Sequence, residues 1–539
     1  MLAPLFIALV IAAPVLPDEA PASAPVDAAA APSGEDDMAR AMREAAEAFG
    51  GGGTSETTSA APQAVKAETE VYGYVMDRFT FGWVDLEALA ASVDLPQITN
   101  LIEANVQLRR PLWSNAFIAA DASAFFQQGG WFVMKDADGR RVSAVDHEVV
   151  QLLPSVVLSE LYLSYSPVPN LNFLIGKRRV VWGAGFANNP TDLLNPPRDP
   201  TDPNLQRTGA IIGKIDVPTE YLTFSFAFAP QVLYTANGLP YQFLKYPSFA
   251  PRQTLIESAA YGTNRLFPDP RTDTDFHYII AGRVYALVYD SDINLMYYFS
   301  NRYNDTFVNK SRVGLSFSRY FFKDYELHME MLLTEGSQRY YVNGDCAREV
   351  ADAIACFAAG TPLFDQTKLH SNTLYPRLLV GARTQFPDES LLTIEYLYVG
   401  DGYTPTEFRD FVRGLVLARQ QGTSFAGGGQ GGNAQGAIPT RFSFDPFRRH
   451  YLFITYSKPK IKDDFTASVV LLAGLEDLSG VIMPSFTWNA LEWLNLQLSG
   501  FFPIRGIPVG QVEAQGKRYS EYSVFPYDAR VFLEARAFY

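Results

Sequence analysis

After its first residues the chain has no run of the roughly 18 uninterrupted apolar residues that a membrane-crossing helix needs. If it enters a bilayer, it must do so with strands. Cysteine is nearly absent, with two in 539 residues, too few for a disulfide scaffold or a cysteine-rich zinc site. The five histidines are His147, His277, His328, His370 and His450, and none has a His-x-x-x-His partner. With no Gly-x-Ser-x-Gly elbow either, the chain carries no enzyme signature and implies no metal or cofactor. His328 between Glu326 and Glu330 comes nearest to a site, and it reads as part of a polar ladder. The glycines at 50–53 lack the following Lys-Ser/Thr of a phosphate loop. Cations are outnumbered, 44 against 58 acids for a net charge of -14, which sets nucleic acid aside as a partner.

What is present begins with an apolar run from Met1 to Ala13, of signal-peptide length, which predicts an export signal over 1–22. Residues 23–67 are rich in Ala, Pro, Ser, Glu and Gly and read as a disordered periplasmic leader. Within it, Met38, Met42, Ala45 and Phe49 have the spacing of a short amphipathic helix over 35–49, either a fraying piece of tether or a helix that binds a partner or plugs a pore. At the other terminus, Val531, Leu533, Ala535, Ala537 and Tyr539 share one parity, and Phe532, Glu534, Arg536 and Phe538 the other. A strand with one apolar face and one charged face suits a wall between lipid and water. It resembles the closing strand of Gram-negative outer-membrane barrels, a likeness that implies recognition of Tyr539 by the barrel assembly machinery.

Between residues 68 and 539 the same alternation recurs. Ile102, Ala104, Val106 and Leu108 alternate with Glu103, Asn105, Gln107 and Arg109; Leu327, Met329 and Met331 alternate with Glu326, His328 and Glu330. Alternation alone also fits a soluble sandwich. The connections separate the two. Short turns near 110–114, 167–170, 217–220, 290–292, 322–324, 387–390, 458–464 and 489–492 take turns with longer segments, the longest at 230–275, 336–372 and 400–447. That sorting predicts an all-β transmembrane outer-membrane β-barrel of about 18 antiparallel strands (16–18), both termini on the periplasmic, short-turn side. Closure is required because open edges in hydrocarbon would cost several kcal/mol per unpaired backbone group. Tyr72, Tyr74, Trp83, Trp113, Tyr165, Trp182, Tyr289, Tyr297, Trp488 and Trp493 fall near run ends, as interfacial girdles would. Cys346 and Cys356 fall in one external loop, and a bridge between them is expected. A helix would hold them about 15 Å apart, against the roughly 7 Å limit of a disulfide, so the chain between them must fold back.

The inward parity carries both signs of charge, which either form a transverse field or brace the wall in pairs. Thr404, Pro405 and Glu407 start a capped helix over 404–421 with an apolar stripe of Phe408, Phe411, Val412 and Leu415, expected at the mouth and followed by a glycine tract at 427–432. The least ordinary segment is Gly-Lys-Arg-Arg-Val-Val-Trp-Gly at 176–183, which then enters a loop rich in Asn, Asp and Pro. By the strand count it leaves strand 5 as the third external loop. Its cations face the lumen only in alternate positions, unless a bulge turns both sets inward.

With Asn188 to Asp192 and Asn195-Pro196, this segment resembles the signature of a family of Gram-negative porin-like barrels related in pattern to alginate-export-type channels. Their signature is Gly-Arg-Gln, an apolar spacer, Trp-Gly, then Asn-Pro. The run from Val481 to Trp488 and the strand beginning at Trp493 resemble their late hairpins. Here Lys177 stands for Arg and Arg178 for Gln. The resemblance implies a passive channel for hydrophobic or organic-acid nutrients. The expected constriction and pore lining comprise Lys177, Arg178, Arg179, Trp182, Asn188, Asp192, Asn195, Arg283, Arg312, Glu326, Glu330, Arg377, Arg383 and Arg536. The expected partners are outer-membrane lipids and a small solute; the alternative is a recognition barrel whose loops bind a partner or polysaccharide.

Overall fold

The computed structural model describes residues 69–84, 98–130, 149–151, 155–195, 209–231, 277–301, 309–322, 324–337, 341–342, 345, 352, 355, 364–365, 371–420, 447–506, 512–514, 517–522 and 527–539. The expected signal peptide, leader and 35–49 helix lie outside the described residues, as do Cys346, Cys356 and the 427–432 tract.

The alternating runs form β1 (Glu70–Val84), β2 (Ile98–Trp113), β3 (Ala116–Gly130), β4 (Ser155–Val168), β5 (Leu171–Arg178), β6 (Ala210–Pro218), β7 (Leu222–Gln231), β8 (His277–Val288) and β9 (Ser291–Ser300). The second half holds β10 (Lys310–Phe321), β11 (Tyr325–Glu335), β12 (Leu374–Gln385), β13 (Leu391–Val399), β14 (His450–Ile461), β15 (Phe465–Gly474), β16 (Gly480–Leu491), β17 (Leu494–Ile504) and β18 (Tyr527–Phe538). The main sheet counts 19 strands, and the three-residue piece Val149–Gln151 pairs with β3 alone, which leaves eighteen for the ring. Each strand runs antiparallel to the next, and β18 returns to β1 from Tyr74↔Phe538 to Val84↔Tyr527. Closure removes every wall edge, so the backbone groups of the wall are paired within it.

Eight short turns lie at one end of the ring, at 114–115, 169–170, 219–221, 289–290, 322–324, 386–390, 462–464 and 492–493, each within a few residues of its expected place. Tyr289 (φ 50) and Asp290 (φ 57) take the two left-handed positions of a tight hairpin whose twist matches the flanking strands. Residue 69 and Tyr539 are at this same end.

The burial pattern is that of a wall turned inside out. Val106, Ile175, Phe226, Leu295, Leu498 and Leu533 face outward and are exposed, while Glu103, Asn105, Ser225, Glu330, Glu395 and Glu534 face inward and are buried. An outer surface of this kind requires lipid against it. Eight of the ten aromatics expected in girdles are exposed. Tyr74 and Trp182 are the corrections: at 5% and 1% exposure they point into the ring, Tyr74 bonded to Glu103 and Trp182 packed on Tyr298.

The expected helix is α1 (Pro405–Gln420). Its capping box closes as the sequence predicts: Thr404 N donates to Glu407 Oε2 at 2.8 Å and Glu407 N to Thr404 Oγ1 at 3.2 Å. Phe408, Phe411, Val412 and Val416 are buried, and Phe411 stacks on Tyr403 at 5.0 Å.

Candidate functional site

The site begins at the last residues of β5. Gly176 sits at φ 134, and a Cβ there would lie 2.2 Å from Leu161 O; glycine alone fits both conditions. The pairing of β5 with both neighbours stays in register through Gly176, so Arg178 keeps the inward parity of Leu174 and Gly176. The Arg178 guanidinium lies 4.6 Å over the Tyr162 ring. Arg179 donates its backbone N–H to Glu160 Oε1 at 3.1 Å and holds its Nε 3.8 Å from the same oxygen. Lys177 is buried, with Nζ donating to Leu158 O.

From Val180 to Asn195 the chain turns into the ring and is fixed there in three places. The first is apolar. Trp182 joins Leu174, Val180, Leu194, Ile212, Met296 and Tyr298 in one buried cluster, with the Arg283 guanidinium 5.3 Å from its ring. Asn195 clasps the two ends of the loop, accepting from Val180 N at 3.0 Å and donating to Val180 O at 2.7 Å and Asp192 Oδ1 at 2.6 Å. Tyr298 adds a bond from its hydroxyl to Thr191 O at 2.7 Å.

The other two fixings are carboxylates of the wall. Glu330 of β11, 0% exposed, accepts from Ala184 N and Gly185 N, both at 2.6 Å, from Thr191 N at 3.1 Å and from Thr191 Oγ1 at 2.9 Å. Glu395 of β13, also 0% exposed, accepts from Phe186 N at 2.7 Å, Ala187 N at 2.8 Å and the His328 Nε2 at 2.8 Å. Gly381 leaves the room, since a Cβ there would stand 2.1 Å from His328 Nε2. Phe186 completes the contact, edge-on to His328 at 5.0 Å and 4.5 Å beneath the Arg383 guanidinium. A loop inside a barrel has no sheet partner for its amides, and buried amides without acceptors are costly. Two acids supply six acceptor contacts to it.

Glu330 was expected in the pore lining; it lies wholly beneath the loop. Gly183 shows how tight the seat is. At φ 156, it would put a Cβ 2.4 Å from Asn189 Oδ1 and 2.5 Å from both Glu330 Oε1 and Thr191 Oγ1. Gly183→Ala is therefore expected to unseat the loop while the ring still forms. Limited proteolysis of the folded barrel would show it as new cleavage within 180–195, with the wall protected.

The remaining expected residues divide. Arg283 and Arg383 meet the loop through Trp182 and Phe186. Arg312 stands in register with Tyr298, and buried Glu326 in register with Arg383. Asn188 is half-buried, its carbonyl against Gly185. Arg377 bonds Asp401 at 3.3 Å at the long-loop end. Arg536 belongs to a separate group on β18 and β1, where Glu534 joins it at 2.8 Å and Arg78 at 2.7 Å. Opposite charges are thus neighbours, as bracing requires.

A second buried cluster ties the long loops together. Glu521 accepts from Phe447 N at 2.8 Å and from the Tyr451 hydroxyl at 2.6 Å, while its own N–H donates to Asp477 Oδ2 at 2.9 Å. Arg448 lies 4.0 Å from Asp477 and 4.7 Å over Phe408 of α1. Burial pushes the Glu521 carboxyl up to about 7, against the pull of these donors. Nothing in the sequence pattern marked Glu521, because a single acid in a loop has no period to read.

No family model and no curated protein matches the chain. Among solved structures it is similar to OccAB3 of Acinetobacter baumannii, at 8% identity and a TM-score of 0.45 over 88% of this chain and 99% of that one. OccK7 (OpdD) of Pseudomonas aeruginosa shows 10% identity and a TM-score of 0.42 over 88% and 99% of the two chains. OmpF of Salmonella typhi, in complex with daunomycin, shows 10% and 0.35 over 87% and 97%. Likenesses at these identities and scores carry no functional information.

Proposed function

We propose that the chain is a porin-like channel of a Gram-negative outer membrane, passing small solutes by diffusion through the barrel. The observation that carries this reading is the inward loop 180–195, seated on Glu330 and Glu395 inside a closed ring of eighteen strands. A barrel closed only for structural reasons has no use for a loop held across its interior, whereas a channel uses one to set its bore. The loop with Arg178, Arg179, Arg283 and Arg383 is the proposed constriction, and its cations would meet anionic solutes such as organic acids. It is a non-enzymatic role. In this reading an N-terminal signal directs export, the outward apolar face meets outer-membrane lipid, the termini are periplasmic and Tyr539 is the contact for the assembly machinery.

The test is a planar bilayer. Purified, folded protein is expected to give stepwise KCl conductance, and deletion of residues 404–436, which carry α1, is expected to raise it. Absence of steps in both forms would leave the recognition barrel as the better reading.

A further inference from the structure

The inner wall is not uniform in its chemistry. On β18, β1, β2 and β3 it carries Arg78, Glu103, Asp121, Glu534 and Arg536, and on β10 to β13 it carries Lys310, Glu330, Arg383 and Glu395. Between these sectors, the inward positions of β14 to β17 hold no charged side chain among the described residues. Toward the short-turn end they hold hydroxyls and amides in register. Ser457 pairs with Ser468, Ser468 with Ser485, and Ser485 with Ser499, so four serines lie side by side across four strands. One step nearer the turns, Thr487 stands between Thr466 and Gln497.

Adjacent strands are about 4.8 Å apart, and successive inward residues about 6.8 Å. The rows therefore form a grid of neutral donors and acceptors roughly 14 Å wide. All seven of these side chains are half-buried, accessible from the interior. Gln497 donates to Ser485 Oγ at 2.7 Å. Ser468, Ser499, Thr466 and Thr487 make no side-chain hydrogen bond among the described residues. The contrast with the charged sectors is the informative point: there nearly every group is committed to a neighbour, as in Arg78 with Glu534 or His328 with Glu395. Bracing does not explain a wall in which only Ser485 of these hydroxyls is bonded to a neighbouring side chain.

We propose that this face of β14 to β17 is a binding track for uncharged polyhydroxylated solutes of the sugar and polyol class. The proposal rests on the channel reading and names a solute class for it. A hydroxyl both donates and accepts, and a sugar presents the same two capacities at each of its own hydroxyls, so successive bonds exchange as the solute advances. A wall without charge also has no fixed ion to hold a dipole in one orientation. The proposed anionic lane beside the arginines of the inward loop and this neutral lane occupy different sectors of one ring.

The experiment is block of the KCl current by a linear glucose trisaccharide, in the wild type and in the S468A/S485A/S499A variant, with gluconate as the anionic comparison. Wild type is expected to show block, and the triple variant to need roughly fivefold more sugar for half-block, the loss of about one net hydrogen bond, at unchanged KCl conductance and unchanged response to gluconate. Unchanged conductance also certifies the fold; should the triple variant lose it, Thr487→Val is the replacement and the same shift is expected. No sugar block in the wild type, or block that survives loss of the hydroxyls, overturns the track while leaving the channel standing. A wild type without conductance overturns the channel reading, and the track with it.

Discussion

Replacing Glu330 and Glu395 together with alanine is expected to free loop 180–195 and raise the single-channel conductance, with larger open-channel noise. Each acid is fully buried, and between them they accept from Ala184 N, Gly185 N, Phe186 N, Ala187 N, Thr191 N and the Thr191 hydroxyl. Hydrogen bonds to a charged acceptor contribute about 1.5–3 kcal/mol each, and stranding a buried donor costs about 1–3 kcal/mol. Six stranded donors exceed what the apolar contacts of Trp182 can hold in place, so the loop should leave its seat. The wall should stay intact, because its ladders run through other residues. Glu330→Gln is the graded version: its amide oxygen still accepts, but its NH2 faces Thr191 N–H or Ala184 N–H as a second donor. Its effect should fall between wild type and the double variant. Conductance of folded protein reads the result, and a double variant that conducts and flickers like wild type would show that the acids are not what holds the loop.

Much of the ring could be read from the chain because each wall position is decided by a local rule. Apolar and polar residues alternate with the pleat, as at Ile102 to Arg109, and the turns at 169–170 and 289–290 announce themselves through proline, asparagine and aspartate. The capping box of α1 was equally legible, since Thr404 and Glu407 are three residues apart. The site was legible only at its start. Gly176 to Trp182 stood out, but which parity faces inward is set by the neighbouring strands: Arg178 follows Leu174 inward, while Lys177, on the parity of exposed Ile175, is buried through its bond to Leu158 O. Glu330 looked like a pore-lining acid because inward parity places it on the right face without saying what covers it, and the same parity places Glu395 there unremarked. Their role is set by a loop 139 to 209 residues away in sequence, and long-range burial of that kind leaves no periodic trace.

Opening of the long-loop cluster around Glu521 is expected to become easier as pH rises toward 7, and a Glu521→Gln variant should lose that dependence. Burial lifts the Glu521 carboxyl from its ordinary value of 4.5 to about 7 in the closed cluster, whereas with the loops apart and hydrated it returns to that ordinary value. The closed form therefore binds the proton more tightly. Below about pH 4.5 both forms are protonated and closure has its full advantage; between 4.5 and 7 the advantage declines, and above 7 it is gone. A difference of about 2.5 pH units corresponds to a change on the order of a hundredfold or more in the opening constant. The other groups facing Glu521 are the Tyr451 hydroxyl, Asp477 with Arg448 behind it, and Tyr522, which burial holds protonated throughout this range. The amides of Phe447 and Glu521, which donate to Glu521 and Asp477, report opening through hydrogen exchange once the intrinsic pH dependence of exchange is divided out. Protection at these two amides should fall steeply from pH 5 to pH 7 in wild type and stay level in Glu521→Gln. Equal protection across that range in wild type would mean that Glu521 is ionised alike in both forms, and the cluster would then be a fixed brace with no response to acid.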